Sequence, residues 1–113
     1  MRKLTYHEPQ PITREEAESA FASGGSEEIA FALVNVTFHY PDWRWVQEKC
    51  LGLAQNDIAA VRQIAVTCLG HLARIHRVLD LDRALPIVEA LSGDPEVQVS
   101  DALDDIQTFV RLR

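Results

Sequence analysis

The sequence predicts an all-α fold of six helices, arranged as about three antiparallel pairs. Three observations carry that prediction. Apolar residues recur at steps of three and four along nearly the whole chain, which is the helical period. Cap residues stand ahead of these stretches and Gly, Asn or Pro interrupts them. No segment alternates apolar and polar residues between hairpin turns, so no strand is expected. The 113 residues are 47% apolar and 25% charged. A chain of that size buries a core without disulfides or metal, because folding hides roughly two-thirds of its surface.

Pro9 and Pro11 keep residues 1–12 extended, since each also restricts the residue before it. Residues 13–113 then form one helical domain. Thr13 and Glu16 have capping-box spacing at the start of a helix whose apolar face is Ala17, Ala20 and Phe21. Ser23-Gly24-Gly25-Ser26 breaks it, and Ser26 is the expected cap of a second helix. Glu27 and Glu28 complement its dipole, and Ile29, Ala30, Leu33, Val34 and Phe38 form its apolar side.

After His39-Tyr40-Pro41, Asp42 caps a third helix running from Trp43 to about Gln55. Asn56-Asp57 interrupts again. The fourth helix, Ile58 to about Ile75, is apolar at Ile58, Val61, Ala65, Cys68, Leu69, Leu72 and Ile75. Ile64, Val66 and Ala73 widen that stripe, so this helix should be packed on several sides and form the centre. A fifth helix opens at Asp80 to Asp82 and reaches about Leu91; Asp82 as its cap would leave Pro86 in the first turn, where a missing N–H costs little. Asp94 as cap and Pro95 at the first position open a last helix that ends near Val110.

A shift of 37 residues superposes Asp57 on Asp94, Ala65 on Ala102, Leu69 on Ile106 and Leu72 on Phe109. It also lays Cys50 on Ile87 and Leu51 on Val88. Caps and core positions align together, as in stacked helix pairs that cannot cover their own apolar faces.

The residues that repeat resemble a known family. Leu85-Pro86-Ile87-Val88, Leu91, Asp94-Pro95, Val97, Ala102 and Ile106 are similar to a HEAT repeat. So are Leu51, Leu53, Asn56-Asp57, Val61-Arg62, Ala65 and Leu69-Gly70, whereas the later copy has Val97-Gln98 in place of Val-Arg. Residues 13–38 keep the two-helix form but little of the motif. The resemblance implies a short HEAT-like α-solenoid. With Pro41-Asp42-Trp43-Arg44-Trp45-Val46-Gln47 and the run Ala65 to Ile75, the chain is similar to small bacterial HEAT-repeat proteins. Some of these resemble immunity proteins of contact-dependent growth inhibition and related polymorphic-toxin systems, which neutralise a toxin domain, often a nuclease, by binding it.

Charge narrows the function independently. Lys plus Arg number 11 against 17 Asp plus Glu, a net charge of −6. That disfavours a general nucleic-acid binder, which needs cations against phosphate, and attachment to an anionic membrane. It favours a basic protein partner reached by electrostatic steering. The longest apolar run, Ile29 to Val34, is far short of a membrane span, and the first nine residues lack the apolar core of a signal peptide. Cys50 and Cys68 lie in apolar helical stretches, as buried reduced thiols do, so a cytoplasmic location is expected.

No constellation for catalysis is legible. His71 and His76 are five apart and so do not share a helical face, and His7 and His39 join no cluster, so no metal site is expected. Cys68 and His71 share a helix, but Cys68 occupies a core position without an electropositive setting. Gly24-Gly25-Ser26 could cradle an anion, yet Glu27 and Glu28 already occupy that helix end. Neither an enzyme nor a cofactor is expected.

Two surfaces stand out instead. Residues 78–110 carry eight acids and one base, whereas residues 39–77 net +2. Asp94 and Glu96 have structural roles as cap and dipole partner; Asp101, Asp104 and Asp105 do not, and they share a face on which like charges repel. They are either a solvated face or a surface for Lys and Arg. The second surface is His39-Tyr40-Pro41-Asp42-Trp43-Arg44-Trp45, where one Trp packs and the other stays near the surface. Tyr40, Trp43, Arg44 and Trp45 are residue types that dominate interface hot spots. The HEAT resemblance implies a concave side lined by the second helix of each pair. Gln63, Thr67, His71 and Arg74 would then run beside Ser100, Asp104, Thr108 and Arg111 in one polar strip, flanked by Asp101 and Asp105. Two functions follow as expectations: an immunity protein that occludes a basic toxin domain, or a scaffold that engages a peptide or subunit.

Overall fold

The computed structural model describes residues 11–110. Within them lie six α-helices and no strand: α1 (Arg14–Ser23), α2 (Ser26–His39), α3 (Trp43–Leu53), α4 (Ala59–His76), α5 (Leu81–Leu91) and α6 (Ser100–Phe109). The first ten residues, which carry most of the expected extended segment, lie outside that range, as does Arg111.

Thr13 builds the capping box of α1: its Oγ1 accepts from the Glu16 N–H, and Glu16 Oε1 accepts from the Thr13 N–H. The cap of α2 falls one residue earlier than expected. It is Gly25, not Ser26, and the Glu28 carboxylate reaches back to the Gly25 N–H. Glycine has no side chain to satisfy the helix N-terminus, so that glutamate takes over half of the box. Asp42 caps α3 through the Trp45 N–H. α4 ends where Arg77 adopts the left-handed conformation at φ 61° and its guanidinium lies over Phe109.

Two expected helix starts are corrected. α5 begins directly after Asp80, the earlier end of the expected start, whose side chain makes no cap hydrogen bond. Pro86 is therefore its sixth residue rather than part of the first turn. The proline leaves the Asp82 carbonyl without its helical partner, a cost eased because Asp82 is exposed. The larger correction is α6, which starts at Ser100 instead of beside Asp94. Residues 94–99 form a turn because their polar groups are engaged elsewhere. Asp94 accepts from Arg62 Nε at 2.9 Å and from the Glu96 N–H, and Gln63 pairs reciprocally with the Gln98 backbone. Val97 and Val99 are buried beneath. Neither Asp94 nor Glu96 therefore serves a helix N-terminus; both face Arg62.

α2, α4 and α6 pack in that order into one layer, with α1 against α2, α3 against α2 and α4, and α5 touching α3. α4 is the central helix, with Val61, Ala65, Val66, Cys68, Leu69, Leu72 and Ala73 fully enclosed. α6 seats on it through Gly70, where an added Cβ would stand 3.0 Å from the Ala102 Cα. The third pair is splayed: α5 and α6 diverge around a cleft of about 510 Å³ lined by Leu81, Leu85, Leu103 and Ile106. α5 is instead tied to α3, by Arg83 with Glu48 and by the Asp80 N–H donating to the buried Gln47 Oε1. The described residues measure 50 × 29 × 25 Å.

The apolar stripes stop short of the helix ends. Ile58, Ile75 and Phe38, expected in the core, are 49%, 39% and 39% exposed. Cys50 and Cys68 are free and buried, and desolvation pushes the Cys68 thiol up to about 11.

Candidate protein-binding face

Three turns of α4 and the start of α6 enclose a groove of about 410 Å³. Gln63, Thr67, His71 and Arg74 form one wall, and Gln98, Asp101, Asp104 and Asp105 form the other over Ala102. The steps of four and three along α4 put its residues on one face. The close seat at Gly70 and Ala102 brings the two helices near enough to share the groove. Six of the residues singled out in the sequence, Thr67, His71, Arg74, Asp101, Asp104 and Asp105, thus meet in one place.

Inside it the polar groups are ordered. Gln63 donates to Thr67 Oγ1 at 3.2 Å. Arg74 lies 2.9 Å from His71 Nδ1 and 3.4 Å from Asp105 Oδ2, so the guanidinium spans both helices. Burial lowers the His71 pKa below its usual value; the Arg74 charge lowers it further and Asp105 opposes. The Arg74 N–H donates a hydrogen bond to Nδ1 of a neutral imidazole. Asp101 and Asp104 are exposed and, among the described residues, pair with no cation. Three carboxylates against one guanidinium leave the groove acidic, with two of them turned toward solvent.

The strip does not continue as expected. Thr108 lines the α5–α6 cleft instead of the groove, although Ala102 and Ile106 are buried as the repeat alignment expects. Arg111 lies outside the described residues. Gln98 and Phe38 were missed. Gln98 enters through the turn that replaces the expected first helical turns, and Phe38 sets its ring 5.2 Å from that of His71.

The aromatic corner is a separate feature and is turned mostly inward. Trp45 is 8% exposed, and its Nε1 donates to Glu18 at 3.3 Å. Tyr40 packs on one side, with Arg14 and Lys49 over the indole. Lys49 pairs with Glu18 at 2.8 Å and holds its carboxyl below the usual range. Trp45 is therefore the packed member of the pair, of which one was expected to pack and the other to stay near the surface. Trp43 is half-buried, with Arg44 stacked 4.6 Å from its centroid. Among the described residues no group of three or more His, Cys, Asp and Glu could hold a metal ion, and no helix is long and apolar enough to cross a membrane.

No protein-family model and no curated protein matches the chain. A solved structure does: a chain in the crystal structure of a CDI complex from Cupriavidus taiwanensis LMG 19424 superposes with a TM-score of 0.82 and 37% sequence identity. The match covers 95% of this chain and 98% of that one. At that identity over nearly the whole of both sequences, the chain belongs to the same family as this component of a CDI complex, in keeping with its resemblance to immunity proteins of contact-dependent growth inhibition.

Proposed function

We propose that this protein is an immunity protein: a non-catalytic module that binds a cationic toxin domain, a nuclease, and occludes its active site. The observation that carries the reading is its kinship with a component of a CDI complex. The α4–α6 groove supports it chemically. Asp101 and Asp104 present carboxylates to solvent, and a nuclease that holds phosphates with Lys and Arg offers complementary charge. The carboxylates stand in for substrate phosphates while the helical layer blocks access. Arg74 and Asp105 hold the groove in shape, and Thr67 and His71 line its α4 wall. The reading places the protein in the cytoplasm, where its two enclosed thiols stay reduced.

The test is the product of the neighbouring reading frame. Expressed alone it should arrest growth; expressed with this chain it should be harmless and co-purify with it. A neighbouring product that is toxic and remains toxic beside this chain contradicts the proposal.

A further inference from the structure

We infer that Phe38 and Ile75, on either side of His71, form the apolar anchor of the partner-binding face and receive an apolar side chain of the partner that lies next to its basic residues. The inference rests on the immunity reading and names the part of the partner that this face takes.

Both side chains are large, apolar and 39% exposed; Phe31 on α2, at 50%, is more exposed but lines a separate cleft with Ile12, Ala20 and Glu28. Phe38 is in the last turn of α2 and meets the His71 ring at 5.2 Å; Ile75 is one turn beyond His71 on α4. His71 also lines the acidic groove with Asp101 and Asp104, so Phe38, set against its ring, borders that groove, and Ile75 follows the groove residue Arg74 on α4. Arg74, the cation beside this edge, is engaged by His71 Nδ1 and Asp105, so its charge is already matched within the groove. Interfaces place aromatic and aliphatic anchors beside a polar rim that excludes water, and this is that arrangement. Charge complementarity defines the occupant: a folded protein surface on which a Leu, Met or aromatic side chain neighbours Lys or Arg. The Trp43–Trp45 corner lacks both properties. Trp45 is enclosed, and Arg44 already covers Trp43.

The experiment measures binding of the purified toxin domain from the neighbouring reading frame to wild type and to Phe38→Ala, Ile75→Ala, Phe38→Leu and Trp43→Ala. Melting curves check that each variant is folded, which exposure of Phe38 and Ile75 favours. Phe38→Ala and Ile75→Ala should each weaken affinity about tenfold or more, chiefly through faster dissociation, as hot-spot truncations do. Phe38→Leu should recover most of the loss, and Trp43→Ala should stay within about twofold. Hydrogen exchange on the wild-type complex should show new protection at residues 34–40 and 70–76. Tight wild-type binding with unchanged affinity in both alanine variants overturns the anchor and leaves the immunity reading intact. Absence of wild-type binding overturns both.

Discussion

Gly70 on α4 stands directly against Ala102 on α6, so close that a methyl group on Gly70 would lie 3.0 Å from the Ala102 Cα and 3.3 Å from Asp105 Oδ2. The neighbour is backbone, which cannot swing aside, so this contact sets the separation of the two helices that wall the groove. Gly70→Val should destabilise the fold by about 1–3 kcal/mol, the usual cost of overpacking. Gly52, on α3, has no atom within 4 Å of its would-be Cβ. Gly52→Ala should be neutral or stabilising by about 0.5–1 kcal/mol, the helical preference for alanine. Urea unfolding of the two variants measures the contrast; equal effects would disprove the close seat.

Asp94 links acid stability to the turn before α6. Its carboxylate accepts the Glu96 N–H and the Arg62 guanidinium, and both hold its pKa below the usual aspartate value. A carboxylate depressed in the folded state contributes stability above its unfolded pKa, about 3.9. That contribution is lost as pH falls from there through the folded value. The melting temperature of wild type should therefore drop more steeply below about pH 4 than that of Asp94→Asn. Parallel acid limbs would show that the pair is not formed.

The two tryptophans report separately on the corner. Trp45 is enclosed by Tyr40, Arg14 and Lys49, whereas Trp43 is half-buried. Trp43→Phe should leave an emission that resists acrylamide, and Trp45→Phe should leave one that is readily quenched. The reverse order would invert the assignment.

His71 should titrate below about 6.5, the ordinary histidine value, since burial and Arg74 both disfavour the imidazolium. In proton NMR, Arg74→Ala should raise its pKa and Asp105→Asn should lower it further. The linked stability is complete above about pH 6.5 and declines as pH falls toward the folded pKa. An unshifted His71 in wild type would contradict the half-buried Arg74 contact.

The fold was legible where period and cap agree. The α1 capping box, the Asp42 cap and the central place of α4 all follow from local pattern, because neighbouring residues satisfy them. The late start of α6 was not legible. Asp94-Pro95 is a sound local start signal, but Arg62 and Gln63, more than 30 residues earlier, take up the polar groups of that turn. The burial of Gln47 was illegible for the same reason: its partner, the Asp80 N–H, is 33 residues away and leaves no local signature. The groove was legible on the α4 side, from polar positions spaced along an apolar helix. On the α6 side only the aspartates were, since Gln98 enters from the turn ahead of the helix, which Gln63 holds.

The most direct test of the central claim is the rate at which Asp101→Lys/Asp104→Lys associates with the toxin domain at low salt. These two carboxylates face solvent without an internal cation, unlike Asp105, so reversing them should leave stability nearly unchanged. The account predicts association slower by about tenfold or more at low salt, with the difference shrinking as salt screens the charges. A double variant that associates at the wild-type rate in low salt would contradict it, and would reduce the acidic groove to a solvated face.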